Sequence, residues 1–159
     1  RQFNFLITNK TNHSMKIVWD DSTFVYVDNV NHKIAHSGMT YADRYASHPP
    51  SVIAKGTTIT DFVFPADNIY YRNGWKEHPI FPILGEELEE NIRNKFAGKI
   101  VQVMLPLQIR EVVNEYIFTF KIYPHEKLMG THERYKVYKV KRFVGIAAVL
   151  IAAMLIPNK

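Results

Sequence analysis

Any chemistry in this chain would have to come from its seven histidines, its paired carboxylates or its serines. His32 and His36 stand four apart. In a strand that spacing gives one face but a gap of roughly 13 Å, too wide to share a metal ion. A helix would close the gap, yet Asn31 and Ser37-Gly38 beside them do not favour one. Asp20 and Asp21 follow Trp19. Adjacent strand carboxylates point to opposite faces, which suits turn residues better than an acid/base pair. Ser37, Ser47 and Ser51 lack the glycine-flanked elbow of a hydrolase nucleophile. The seven glycines form no phosphate-cradling cluster. No catalytic residue, metal ligand or cofactor is assigned from these residues, and the chain is read as non-enzymatic. Asn9-Lys-Thr11 and Asn12-His-Ser14 match the N-glycosylation tripeptide.

The more informative functional signal is aromatic. Between Tyr41 and Phe81 the hydrophobic period weakens, and Tyr45, Tyr70, Tyr71, Trp75 and Phe81 stand beside Arg44, Arg72 and Lys76. Tyr, Trp and Arg anchor interfaces because each offers a large flat surface with a polar handle. These eight residues are the expected contact surface for a protein partner. The alternative is that the rings only cover one end of the body.

A second signal lies in the last quarter. Residues 1–124 carry 13 Lys+Arg and 13 Asp+Glu, a net of zero, whereas residues 125–159 carry 7 and 2, the whole +5 of the chain. The cations Lys139, Lys141 and Arg142 run into fourteen apolar residues, Phe143 to Ile156. As a helix this run would rise about 21 Å, short of the roughly 30 Å hydrocarbon core. Snorkelling cations could extend it. Gly145, Ala148 and Ala152 place small residues at helical spacing, suited to close packing. Membrane lipid is therefore an expected partner of the tail; a core element of a larger fold or an intersubunit helix are the alternatives. Because the body is neutral and the cations sit beside an apolar run, a nucleic-acid partner is not expected.

The elements that must position these residues read as short strands. Phe3 to Ile7, the alternating Met15, Ile17 and Trp19, and Phe24 to Val27 come first, with Asp28-Asn29 as a hairpin tip. Val30 to His36, Ser51 to Ile53, Ile59 to Phe64 and Ile69 to Tyr71 follow. Gly38 to Ser51 reads as a surface loop, and Pro79 and Pro82 exclude a central strand over Trp75 to Pro82. A helix is expected over Gly85 to Gly98, from its acidic first turns, the Leu88, Ile92, Phe96 face and the terminal glycine. Lys99 to Ile109 and Val112 to Ile122 are the longest strands. The sum is a mainly β chain, an immunoglobulin-like antiparallel β-sandwich with one inserted helix and a C-terminal apolar helix. A small barrel is the alternative. The divisions are a domain over 1–124, a basic linker over 125–142 and an apolar segment over 143–157. With no cysteine, disulfides and thiolate sites are excluded within these residues.

The body resembles small bacterial cell-envelope domains, often lipoproteins, of β-sandwich type and without an assigned activity. The likeness rests on Asn9-Lys-Thr-Asn12, Ile17-Val-Trp-Asp20, Phe24-Val25, Pro49-Pro-Ser-Val-Ile53 and Lys55-Gly56. It continues through Val63 to Pro65, Asp67 to Tyr71, Gly98-Lys99, Leu105-Pro-Leu107 and Tyr116-Ile-Phe118, and it spans roughly residues 3–122. It implies a membrane-associated body outside the cytoplasm. The cations ahead of the apolar run argue for a cytoplasmic body instead; the expectation adopted follows the resemblance. The function expected is a non-catalytic binding or accessory subunit of an envelope assembly. A soluble carrier of an apolar ligand and a hydrolase using His and Asp residues of the 32–78 region are the alternatives.

Overall fold

The computed structural model describes residues 2–78, 80, 95–122, 138–139 and 146–150. In order, the elements are β1 (Phe3–Asn9), β2 (Met15–Ile17), a 3-10 turn (Trp19–Asp21), β3 (Thr23–Val25), β4 (Asn31–His36) and β5 (Ser51–Ile53). Then come β6 (Thr58–Pro65), a second 3-10 turn (Ala66–Asn68), β7 (Ile69–Tyr71), β8 (Trp75–Glu77), β9 (Ile100–Ile109), β10 (Val112–Lys121), β11 (Tyr138–Lys139) and β12 (Ile146–Leu150). The fold is mainly β, and among the described residues every strand pair is antiparallel.

Two groups of strands share β4. Its first half, Asn31 to Lys33, pairs with β3, and its second half, Ile34 to His36, pairs with β6. The β6 group continues through β1 to β12 and β11; the β3 group continues to β9, which carries β10 on its other edge and β2 then β5 beyond. The change of partners along β4 joins the two groups into one continuous path of paired strands. Alternation supplies that core: Phe3, Phe5 and Ile7 of β1 are buried, as are Val101, Val103, Leu105 and Leu107 of β9. Rings join the two groups, with Phe3 at 5.7 Å from Phe24 and 4.6 Å from Phe120, and Phe5 at 6.4 Å from Trp19.

Beside β9, one partner edge is interrupted. β2 covers Leu107 to Ile109 and β3 covers Gln102 to Met104. Between them the 3-10 turn carries Trp19 into the core. Pro106 occupies this gap, and Val18 N–H donates to its carbonyl at 3.0 Å. A strand residue's N–H and C=O point the same way, so the donor that proline lacks faces the break in pairing.

Turns fall where the sequence places them. Asn29 adopts φ 63 at the β3–β4 tip, Arg110 adopts φ 54 between β9 and β10, and Gly56 adopts φ 74. Of the helix expected over 85–98, Lys95 and Phe96 are helical and Gly98 has φ 84; the remainder lies outside the described residues.

The C-terminal run departs from expectation. Ile146–Leu150 is a strand, β12, not part of a helix, and it pairs with β1 from Leu6↔Val149 to Asn9↔Ile146. The edge of β1 away from β6 offers a row of backbone donors and acceptors, which an apolar run satisfies as a strand. Periodicity alone cannot separate a short apolar strand from a helix. Ala148 therefore sits at a sheet position opposite Ile7, and Lys139 of the expected linker pairs with Val149. Lys141, Arg142, Phe143, Gly145 and Ala152 lie outside the described residues. Among the described residues no helix is long and apolar enough to cross a membrane.

Candidate functional site

The site is built by the 37–50 segment against the β7–β8 ribbon. Thr40 Oγ1 donates to Asp43 Oδ2 at 2.6 Å, and turn bonds run from Asp43 N to Thr40 O and from Ala46 N to Asp43 O. Short polar side chains favour such turns by replacing backbone partners. Lys33 Nζ, reaching out of β4, donates to Ala46 O at 2.6 Å and Tyr45 O at 3.3 Å. Asp20, in the 3-10 turn, accepts the His48 N–H at 3.0 Å and the Ser47 hydroxyl. The bonds from Ser47 and His48, with Lys33 adding attraction, hold the Asp20 carboxyl below its ordinary pKa.

So fixed, the segment presents Arg44. Its guanidinium lies 4.8 Å from the Tyr45 ring centre and 5.1 Å from that of Trp75, and its Nη1 donates to Tyr41 O at 3.1 Å. Tyr41 and Tyr71 both approach Trp75 edge-on, at 6.4 and 5.4 Å. The Tyr41 hydroxyl donates to Glu77. β7 and β8 pair only with each other among the described strands. A two-stranded ribbon is marginal by itself, so these ring contacts fasten it to the body. Much of the surface remains open: Tyr71 is 69 % exposed, Tyr45 55 % and Trp75 42 %.

A polar group borders the rings. Asp67 accepts from the Tyr45 hydroxyl and lies 2.6 Å from His32 Nδ1. The bond to His32, then that to Tyr45, lowers the Asp67 pKa; the same bond raises that of Tyr45. The His32–Asp67 pair has the geometry of an oriented base. Its neighbouring hydroxyl, however, donates to the carboxylate and is held protonated, the reverse of nucleophile activation.

Of the eight residues expected at a contact surface, Arg44, Tyr45, Tyr71 and Trp75 come together. Tyr70 points to the other side of β7 and stacks on His78 at 4.0 Å. Lys76 faces Tyr70 across the ribbon, and Arg72 caps its tip by donating its N–H to Gly74 O. Phe81 lies outside the described residues. Sequence reasoning did not single out Tyr41, Asp67 and Glu77; the Thr40-x-x-Asp43 turn, which brings Tyr41 under Arg44, is the signal that could have found the first. Asn9 of the first glycosylation tripeptide is fully buried: its amide donates to His13 O and Ile53 O while its carbonyl accepts from Thr11. Asn12 is exposed. Among the described residues no group of three or more His, Cys, Asp or Glu is placed to hold a metal ion.

No protein-family model matches the chain, and neither a curated protein nor a solved structure matches it.

Proposed function

We propose that the chain is a non-catalytic binding domain that docks a protein partner through the aromatic face around Arg44, as an accessory subunit of a bacterial envelope assembly. The observation that carries this reading is the placement of Arg44 between Tyr45 and Trp75, with three large rings left open to solvent. Prearranged rings lose little entropy on binding, and a guanidinium already seated between them is partly desolvated before a partner arrives. The immunoglobulin-like sandwich arrangement is supported by the change of partners within β4 and the ring contacts across the core. The envelope address is supported by the resemblance and by the concentration of positive charge in the tail. Because β12 belongs to the sheet, lipid contact is assigned to Lys141, Arg142, Phe143 and the other tail residues outside Ile146–Leu150.

The test is co-purification of tagged full-length chain from detergent-solubilised membranes of its native cells. A defined companion protein should be retained by the wild type and lost from Tyr71→Ala and Trp75→Ala. Retention of the same companion by both variants would remove the aromatic face from the account. Carbonate washing of the membranes tests the address separately, since a chain released into the wash has no integral anchor.

A further inference from the structure

Two imidazoles bracket the segment that carries Arg44 and Tyr45. His36 ends β4 and His48 lies near the start of β5. They are 5 % and 8 % exposed, and their rings meet edge-on at 5.4 Å. His36 also stacks flat on Trp19 at 3.9 Å. In each ring Nε2 is buried and has no hydrogen-bond partner among the described residues. Buried orphan nitrogens are uncommon, and a pair side by side calls for a physical account.

A shared metal ion does not fit. Gly38 N–H donates to His36 Nδ1 at 3.1 Å, so the neutral ring carries its proton on Nε2 and has no lone pair there to offer. Gly38 is close enough to this ring that a Cβ would fall 2.8 Å from His36 Cε1, so the turn has little room to move away. A protonated His48 would carry an N–H on an Nε2 that has no acceptor. That charge would face the His36 ring inside the core.

We propose that His48, packed edge-on against His36, is an acid-sensitive fastening. Neutral, it holds the 37–48 segment to the body; charged, it loses its place beside His36 and releases the segment, dispersing the rings around Arg44. The surrounding charges divide. Asp61 Oδ2 lies 3.8 Å from His36 Nδ1, and Asp61 Oδ1 is committed to the Ser37 and Phe62 N–H groups. Asp20 and the bond to the Asp43 backbone favour a charged His48, while His36 and Lys33 oppose it. Burial, ahead of repulsion from His36, pushes the His48 pKa below 6.5. A histidine depressed in the folded state contributes its full stability above its unfolded pKa. That contribution is lost as the pH falls through the lower, folded value. Release therefore belongs below pH 6.5.

The consequence for binding rests on the aromatic face being the contact surface, but the release does not. It can be read on the full-length protein alone from its two indole N–H signals in 1H–15N spectra, assigned with Trp75→Phe. As the pH is lowered from about 8, the Trp75 signal should shift in one transition below 6.5, together with the Arg44 Nε–H. His48→Gln should abolish that shift. His32→Gln, which removes the imidazole bonded to Asp67, should keep it. Static signals in the wild type, or an unchanged transition in His48→Gln, would overturn the fastening. If the transition occurs but no partner docks on the face at neutral pH, the fastening stands and the binding assignment fails.

Discussion

The guanidinium carbon of Arg44 lies 5.1 Å from the centre of the Trp75 ring, joining the 37–50 segment to a two-stranded ribbon that has no strand pairing with the larger sheet among the described residues. Cation–π contacts at exposed sites contribute about 0.5–1 kcal/mol. Arg44→Ala should therefore lower global stability by no more than about 1 kcal/mol while loosening the ribbon far more. Hydrogen exchange should accelerate at the amides of Ile69–Tyr71 and Trp75–Glu77, with β9 unchanged. Arg44→Lys should restore little of this, since an ammonium lacks the flat surface that spans two rings.

Phe24 is fully buried and packs on Phe3 across the core. Phe24→Ala should cost about 3–5 kcal/mol, measured by urea unfolding, because the transfer loss is joined by a cavity the sheets cannot close. A cost near zero would mean the two strand groups do not pack as described.

Asn9 and Asn12 make a matched pair, buried and exposed within one turn. Asn9→Ala strips the Ile53 carbonyl and the Thr11 N–H of this partner, while the His13 carbonyl keeps the Thr11 hydroxyl. Leaving buried groups unpaired should cost about 1–3 kcal/mol. Asn12→Ala should stay within about 0.5 kcal/mol in the same unfolding assay.

At Gly38 the constraint is steric. A Cβ would meet His36 Cε1 at 2.8 Å, and that ring is held flat against Trp19. Gly38→Ala should destabilise by about 1–3 kcal/mol, as overpacking does, and should shift the Trp19 indole signal.

Asp20 supplies an acid dependence distinct from that of the histidines. Its folded pKa lies below 3.8, chiefly through the bond from Ser47 and then that from His48 N–H. Its contribution is present above 3.8 and is lost as the pH falls through the lower folded value. Stability curves of Asp20→Asn against pH should lose less stability below 3.8, the remaining loss there belonging to Asp61 and Asp67, and should keep the limb above it.

The strands and turns were largely legible because their signals are local. Phe3, Phe5 and Ile7 alternate, Asn29 tolerates a left-handed turn, and Pro65 and Gly56 punctuate the chain. The tail was not legible: whether Ile146–Leu150 coils or pairs depends on β1, which is 137 residues earlier at the nearest approach in sequence, Asn9 to Ile146. The site was half legible. Composition pointed to Arg44, Tyr45, Tyr71 and Trp75, but their grouping depends on Lys33 and Asp20 holding the segment from other elements. The burial of His36 and His48 likewise follows from tertiary packing around Trp19 and Asp61 that no short spacing encodes.

Whether the aromatic face meets a partner in the cell is tested most directly by a photo-crosslinking amino acid placed at position 71, with position 52 as the control. Tyr71 and Val52 are similarly exposed but belong to different strands, β7 and β5. The account predicts one adduct of defined mass from position 71, none of that mass from position 52, and its loss when Trp75→Ala is added. Equal labelling from both positions, or an adduct at 71 indifferent to Trp75→Ala, would contradict it.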